Sequence, residues 1–269
     1  MACRVVIDVD GGDAGLLASA RRRIEELEDR WSRFLPGSDI SSLNLAQGTP
    51  VAVHEDTRLL VEFMRAAHKK TAGLFNPTLI PALVSLGDPR TGVLPSSPIR
   101  AFDTLDDIAV DGQFVTLPEG MVLDPASLAK GLAADIVTAM LVEEGCRGAC
   151  VSVGGDLRFT GPARPIPVLA PTDEVLAHVG VSDGALATSY SLLREFEGNS
   201  HVLDPSTLAP IQHDIVQTTV AASSAAWAEA IATAVLVAGS SAPADALGLG
   251  AMLVSSSGVV SRNAFWQEL

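Results

Sequence analysis

Apolar residues recur every three or four positions along several segments of this chain, a spacing that is typical of helices burying one face. The apolar face of the first such segment consists of Leu16, Leu17, Ala20, Ile24, Leu27 and Trp31. Helices are therefore predicted over residues 14–34, 54–72, 125–144 and 223–238. The last of these is apolar nearly all round beyond its first turn, so we expect it to be a buried helix.

Alternating or continuous apolar runs, bounded by Gly, Pro and Asp, predict strands. They cover residues 4–10, 148–153 and 216–222, a hairpin within 107–117, short strands with Pro-rich turns up to 182, and two strands after one helical turn in 244–266. The polar residues 38–44 and the Gly-, Pro- and Ser-rich residues 84–105 predict loops. Helices and strands in this order indicate an α+β fold, with helices packed on mixed or antiparallel sheets.

The chain has 269 residues and a formal net charge of −14. That charge argues against a nucleic-acid-binding surface, which would show a basic stripe. No apolar run reaches the ~18 residues needed to cross a bilayer, and acidic residues interrupt the N-terminal segment where a signal peptide would be apolar. We therefore expect a cytoplasmic protein without a nucleic acid or a membrane as partner. Its three cysteines have no metal-binding spacing, so reduced, mostly buried thiols are expected.

Polar and small residues stand between two apolar segments at residues 124–131, DPASLAKG. Residues 122–123 indicate the end of a strand, and Asp124 suits the N-cap of the helix that follows. Ser127 and Lys130 then share one face of the first helical turn, beside N–H groups that attract anions. This pattern indicates either a phosphate site or an ordinary capped helix.

Three further features carry candidate chemistry. Residues 154–156, Gly-Gly-Asp, follow a predicted strand, where they either let a backbone approach a ligand closely or form a bulge or a hairpin turn. Glu229 and Thr233 share one face of the apolar last helix. An unpaired buried carboxylate is costly, so a hard cation would suit Glu229, and a bond to neighbouring backbone is the alternative. His201 is a lone histidine, and such residues are more often structural than catalytic.

Several short blocks carry these features in a fixed order. They are MAC at 1–3, SDISSLN at 38–44, GLFNPT at 73–78, DPASLAKG at 124–131, GGD at 154–156, TS at 188–189, HVLDP at 201–205 and AEAIATA at 228–234. In this order, and with nearly end-to-end coverage, the chain resembles the ApbE family, the FAD:protein FMN transferases. No single block is specific, but the series is.

The resemblance implies one ApbE-like domain over residues 1–269, with a cleft between two lobes. It implies a transferase that splits FAD, moves FMN onto a threonine hydroxyl of a target flavoprotein, and releases AMP with the help of Mg²⁺. The implied metal ligands are Glu229, Thr233 and an oxygen of Ser127, and His201 is the candidate for proton transfer. The implied FAD contacts are Met1, Phe34, Leu74, Phe75, Asn76, Asp124, Lys130 and Val202.

Four departures from the family pattern bear on the implied site. Glu229 stands for an aspartate and is longer by one C–C bond of ~1.5 Å, whereas Mg²⁺ demands a near-ideal octahedral geometry. Asn76 also stands for an aspartate, and Tyr190 and Leu208 stand for glycines. The changes at Glu229, Asn76 and Tyr190 motivate a second hypothesis, in which the chain binds FAD but is catalytically weak or inactive because its metal site has drifted.

A third hypothesis interprets residues 127–130 as the Ser-x-x-Lys of a serine acyl-enzyme, in which the lysine activates the serine. The downstream Ser-Asp-Asn and Lys-Thr-Gly motifs of such enzymes are missing from the sequence. The nearest fragment, at residues 70–73, precedes the serine. This hypothesis is therefore the weakest of the three.

Overall fold

The chain divides into two units, each made of segments that are not contiguous in the sequence. The computed structural model describes residues 3–11, 14–170, 172–192, 195–196 and 199–268. Among these residues, the first unit contains those within 25–129 and 191–213, and the second contains those within 2–24, 130–190 and 214–269. A single domain over residues 1–269 stays a prediction.

The helices follow the apolar periodicity of the sequence closely. Within the described residues they are α1 Ala14–Trp31, α2 Asp39–Ala46, α3 Glu55–Lys70, α4 Ile80–Ser85, α5 Ala129–Glu143, α6 Ala225–Ala238 and α7 Ala242–Asp245, with 3-10 turns at Pro125–Ser127 and Ala264–Glu268. All four predicted helices are present. No helix in this part of the chain is long and apolar enough to cross a membrane.

The strands form sheets whose neighbouring strands all run antiparallel among the described residues. They are β1 Val5–Asp10, β2 Val51–Ala52, β3 Ala109–Asp111, β4 Phe114–Thr116, β5 Gly148–Val153, β6 Asp156–Leu169, β7 Val175–Tyr190, β8 Glu195–Phe196, β9 Asn199–Ser200, β10 Leu203–Asp204, β11 Ala209–Pro210, β12 Ile215–Ala222, β13 Gly250–Ser255 and β14 Val260–Arg262. The predicted α+β class is confirmed. The prediction left mixed and antiparallel sheets open, and the sheets of the described residues are antiparallel.

The second unit is built on a seven-stranded sheet in the order β1-β5-β6-β7-β12-β13-β14. Consecutive residues of a strand face opposite sides of a sheet. Met252 packs in one cluster, with Phe159, Val168, Val179, Val181, Leu186 and Trp266. Its neighbours Ala251 and Leu253 pack in another, with Val220, Ile231, Ala232, Val235 and Ala244. The sheet is therefore buried on both faces, and α6 covers one of them, which explains why α6 is apolar nearly all round.

The first unit contains smaller sheets and most of the remaining helices. Its three-stranded sheet has the order β2-β4-β3, and β10 pairs with β11 and β8 with β9. The hairpin predicted within 107–117 is confirmed as β3 and β4. The three cysteines are free thiols, as predicted, but only Cys146 is buried, and Cys3 and Cys150 are half-buried, so the prediction that they are mostly buried is wrong.

Three local predictions are wrong. Residues 38–44 begin a helix, because the Ser38 side chain accepts a hydrogen bond from the Ser41 N–H at 3.0 Å and caps α2. The segment predicted as short strands up to residue 182 forms the long strands β6 and β7. Residues 122–123 do not form a strand. Instead, Asn44 Oδ1 accepts a hydrogen bond from the Leu123 N–H at 2.8 Å, and Asn44 Nδ2 donates one to the Leu123 backbone oxygen at 3.1 Å.

The predicted helix over 125–144 is interrupted at its start. Asp124 caps a 3-10 turn by accepting from the Ala126 N–H at 3.0 Å, and α5 begins only at Ala129. Leu128 separates the two pieces with φ −149° and ψ −29°. Ser127 and Lys130 therefore belong to different pieces, and the prediction that they share one helical face is wrong.

Helices α5 and α6 touch where each begins. An ideal Cβ on Gly131 would lie 2.2 Å from the backbone oxygen of Ala225. This distance is far too short for a non-bonded contact, so the backbone fits here only because residue 131 is glycine. One turn later, Asp135 accepts hydrogen bonds from Ser224 Oγ at 2.7 Å and from the Ala225 and Ala226 N–H groups at 2.8 and 2.9 Å. Asp135 thus caps α6 from a neighbouring helix and fixes the contact.

We expect Gly131→Ala to lower the free energy of unfolding. Alanine would gain about 1 kcal/mol of helix propensity, but its Cβ would force two backbones apart, and overpacking typically costs about 1–3 kcal/mol or more. Urea denaturation measures the net change. Gly180→Ala in β7 is the matched control, because a Cβ there meets no atom within 4 Å. Equal unfolding free energies for the two variants would contradict the close contact.

Candidate functional site

A lysine held between two carboxylates lies near the start of α5. Lys130 donates hydrogen bonds from Nζ to Asp156 Oδ2 and to Glu229 Oε1. Asp156 is the first residue of β6, and Glu229 lies in the second turn of α6. Three elements that are far apart in sequence therefore supply one charged group of side chains, which we call the Lys130–Asp156–Glu229 cluster.

The second oxygen of each carboxylate in this cluster also accepts a hydrogen bond, in both cases from the backbone. Glu229 Oε2 accepts from the Gly131 N–H at 2.7 Å, and Asp156 Oδ1 accepts from the Thr188 N–H at 3.1 Å. Gly131 is in the first turn of α5, where N–H groups carry partial positive charge. Of the two interpretations offered for Glu229, the bond to backbone is thus observed, together with a bond to lysine.

The two carboxylates of the cluster are buried, and when both are ionised the cluster carries a formal charge of −1, because they share one ammonium. Asp156 is 1% exposed and Glu229 is 2% exposed. Burial by itself lowers the pKa of Lys130, but the Asp156 and Glu229 carboxylates outweigh it, so that the pKa is raised. Burial raises the pKa of Glu229; Lys130 opposes this rise and Asp156 adds to it. The cluster keeps its lysine charged and would gain from a further positive charge.

The charged state of Lys130 bears on the serine acyl-enzyme hypothesis. A lysine that activates a serine must accept a proton, so its neutral form has to be accessible. The raised pKa of Lys130 disfavours that form. This observation counts against the Ser-x-x-Lys interpretation.

Hydroxyl groups lie next to the cluster on α6 and β7. Thr233 Oγ1 donates to the backbone oxygen of Glu229 at 3.1 Å and lies 3.3 Å from Ser189 Oγ. Thr188 Oγ1 lies 2.9 Å from Thr219 Oγ1 on β12. Glu229 and Thr233 therefore both lie on α6, four residues apart, and the Thr233 hydroxyl contacts the backbone of Glu229.

The Gly-Gly-Asp block forms a hairpin turn between β5 and β6. Gly154 and Gly155 have φ values of 64° and 98°, the conformation that a two-residue hairpin turn of type I′ requires. An ideal Cβ on Gly154 would lie 3.0 Å from Lys130 Cδ. The hairpin interpretation is therefore confirmed, and the first glycine also leaves room for the lysine side chain.

A buried arginine in the first unit connects two of the predicted FAD contacts. Arg33 is 7% exposed and donates from Nε to Asp124 Oδ1 at 3.0 Å. Its guanidinium carbon lies 4.3 Å from the centroid of the Phe34 ring, which is 55% exposed. Arg33 Nη1 also donates to the Arg90 backbone oxygen at 2.8 Å. Sequence reasoning missed Arg33, because no spacing distinguishes it from the other arginines nearby.

The amide of Asn76 accounts for one departure from the family pattern. Asn76 Nδ2 donates to the Phe102 backbone oxygen at 2.9 Å, which an aspartate at this position cannot do. Asn76 Oδ1 accepts from the Thr78 N–H at 2.9 Å and from Thr78 Oγ1 at 2.8 Å. Phe75 is fully buried and Leu74 is half-buried. These bonds fix the turn, and the FAD contacts of residues 74–76 stay predictions.

The remaining predicted site residues lie in the first unit or outside the described residues. Ser127 ends the 3-10 turn that precedes α5, and His201 and Val202 are half-buried just before β10. Leu208 has φ 57°, a left-handed conformation that explains why the family has glycine there. Met1 lies outside the described residues. The roles that the resemblance implies for these residues stay predictions.

Comparison with known proteins identifies relatives of this chain. A sequence model of the ApbE family matches residues 1–250. The FAD:protein FMN transferase of Vibrio cholerae serotype O1 is 28% identical over 240 residues, which are 81% of this chain and 72% of that protein. The FAD:protein FMN transferase of Escherichia coli K12 is 35% identical over 136 residues, which are 46% of this chain and 38% of that protein.

The fold is also that of solved family members. The apo form of the Pseudomonas stutzeri flavinyl transferase ApbE superimposes with a TM-score of 0.84 at 24% sequence identity, covering 98% of this chain and 92% of that one. The Thermotoga maritima ApbE protein has the same TM-score at 23% identity. With the family model matching residues 1–250, the chain belongs to the ApbE family.

Proposed function

We propose that this chain is a Mg²⁺-dependent flavin transferase, which moves FMN from FAD to a threonine hydroxyl of a target flavoprotein and releases AMP. The observation that carries the proposal is the Lys130–Asp156–Glu229 cluster with its two buried carboxylates. The resemblance implies that these residues stand at the family's Ala-Lys-Gly, Gly-Gly-Asp and Ala-Asp-Ala positions. The named activity of the relatives from V. cholerae and E. coli supports it. We propose FAD and a cytoplasmic flavoprotein as the partners.

The side chains on α6 fit a hard cation. Glu229 offers a carboxylate and Thr233 a hydroxyl, which are oxygen ligands of the kind that Mg²⁺ binds. When both carboxylates are ionised, the cluster also carries one net negative charge beside buried groups, where added positive charge is favourable. The described residues contain no group of three or more His, Cys, Asp or Glu side chains arranged to hold a metal. We therefore propose a site that uses one carboxylate, Glu229, together with Thr233.

The chain's own residues would act by positioning and by charge. Phosphoryl transfer depends mainly on positioning and on charge neutralisation, and it requires little covalent chemistry from the protein. The start of α5 is a helix N-terminus, which suits the phosphates of FAD. Lys130 and the Gly131 N–H are bonded to carboxylates there and would face a phosphate only after leaving them. Bound Mg²⁺ would neutralise further charge on the phosphate oxygens. We propose His201 as the group that takes the proton from the acceptor hydroxyl.

The alternative function is FAD binding without catalysis. One observation favours it: both oxygens of Glu229 already accept hydrogen bonds, from Lys130 and from the Gly131 N–H. A carboxylate that is fully bonded to protein donors binds a metal less readily than a free one. The two functions differ in whether AMP leaves FAD when Mg²⁺ and a target domain are present.

We expect metal-dependent release of AMP from FAD by the purified full chain, and a loss of more than about 100-fold in Glu229→Ala, because a proposed metal ligand is removed. Chromatography of nucleotides, with MgCl₂ or with EDTA, measures the release. Glu143→Ala removes an exposed carboxylate at the end of α5 and should match the wild type. Bound FAD without any AMP release by the wild type would establish the alternative function.

We expect Arg33→Gln to weaken FAD binding about tenfold, because it removes a charged hydrogen bond to Asp124 and the cation beneath the Phe34 ring. Quenching of flavin fluorescence during titration measures the affinity, and circular dichroism checks the fold. Arg22→Gln on the exposed face of α1 is the control. Unchanged FAD affinity in a folded Arg33→Gln protein would contradict a role of this arginine in the site.

A further inference from the structure

We propose that Lys130 is an internal counter-ion of Glu229, which a divalent cation must displace before Glu229 can act as its ligand. The inference rests on the proposed function, because the cation that we consider is the Mg²⁺ of the transferase. It concerns a step that precedes catalysis. The lysine would set how tightly the cation binds and would make binding depend on a movement of its own side chain.

Each carboxylate oxygen of Glu229 already accepts a hydrogen bond. Oε1 accepts from Lys130 Nζ, and Oε2 accepts from the Gly131 N–H at 2.7 Å. The backbone donor cannot leave without shifting α5, since α5 and α6 are held together by the Gly131 contact with Ala225. Lys130 has a flexible side chain, 23% of which is exposed. The ammonium is therefore the partner that can move away.

A cation and the ammonium would compete for the same oxygen. Mg²⁺ binds carboxylate oxygens at about 2.0–2.1 Å, which would bring it close to an ammonium that bonds the same atom. Two like charges repel strongly at such separations in a buried site. Simultaneous binding is therefore unfavourable, and the cation has to exclude Lys130 from Glu229.

Asp156 provides the place to which Lys130 can withdraw. Its Oδ2 already accepts a bond from Lys130 Nζ, and its Oδ1 is fixed by the Thr188 N–H at 3.1 Å. The lysine thus keeps one buried carboxylate as partner when it leaves the other. Glutamate at position 229 matters here, because its longer side chain allows contact with Lys130 and with the backbone of α5 at once.

Isothermal titration calorimetry with MgCl₂ alone, on the full chain without FAD, tests the proposal. We expect Lys130→Gln to bind Mg²⁺ about tenfold more tightly than the wild type, because the competitor is gone. We expect Asp156→Asn to bind Mg²⁺ more weakly. In this variant Glu229 is the one carboxylate of the cluster that Lys130 can bond, so Mg²⁺ displaces the lysine less easily. Sodium chloride at matched ionic strength is the control for general screening.

The double variant separates competition from a simple change in charge. If Lys130 acts by occupying Glu229, Asp156→Asn has little effect once Lys130 is glutamine, so the two changes are not additive. Additive effects, equal affinity of Lys130→Gln and the wild type, or no heat of Mg²⁺ binding in either protein would each overturn the proposal. Because FAD is absent, these results do not depend on whether the transferase reaction occurs.

A measurement on the wild-type chain keeps the proposal testable if the variants do not fold. The chain has three lysines, Lys69, Lys70 and Lys130, so the ¹⁵N signals of their ammonium groups can be resolved by NMR. We expect MgCl₂ to shift the Lys130 signal and to leave the other two unchanged. A Lys130 signal that stays constant while Mg²⁺ binds would show that the lysine does not move, which contradicts the proposal.

Discussion

The sharing of one ammonium between two buried carboxylates is the interaction on which the rest of the site depends. Asp156 and Glu229 could not both stay charged in the interior without compensation. Lys130, the Gly131 N–H and the Thr188 N–H supply it from α5 and β7. Removing one partner of a buried pair typically costs about 3–5 kcal/mol. The packing of α5, α6, β6 and β7 around the cluster therefore depends on keeping these charges compensated.

The close approach of α5 and α6 makes this arrangement possible. Gly131 lets the backbone of α5 reach Ala225, and Asp135 satisfies the first N–H groups of α6. With the two helix starts in contact, a side chain in the second turn of α6 can reach the first turn of α5. A glutamate therefore makes both contacts in this chain. The same geometry leads to the competition between Lys130 and a cation, which links the packing of the helices to metal affinity.

The sequence predicts the scaffold better than it predicts the site. Helices with a clear apolar period, the Gly-Gly hairpin and the shared face of Glu229 and Thr233 follow from local spacing. The long strand β6 was missed because its prolines, at 162, 165 and 167, are typical of loops and of edge or bulged strands, and its pairing with β7 does shift register between Thr160 and Arg164. Arg33 meets Asp124 across 91 residues, and Lys130 meets Glu229 across 99 residues. No local pattern encodes such contacts. Spacing selects Lys130 and Glu229 separately without showing that they meet, and it does not select Arg33.

The free energy of unfolding as a function of pH tests the charge balance most directly. The pKa of Glu229 is raised in the folded chain, so the folded state binds a proton more tightly than the unfolded state. Its contribution to stability is therefore present at acidic pH and is lost as the pH rises from the ordinary carboxyl range through the raised pKa. Urea denaturation from about pH 5 to about pH 9, with and without MgCl₂, compares the wild type with Glu229→Gln. We predict that wild-type stability falls relative to the variant as the pH rises, and that Mg²⁺ reduces this fall. Parallel pH profiles for the two proteins, unaffected by Mg²⁺, would contradict the account.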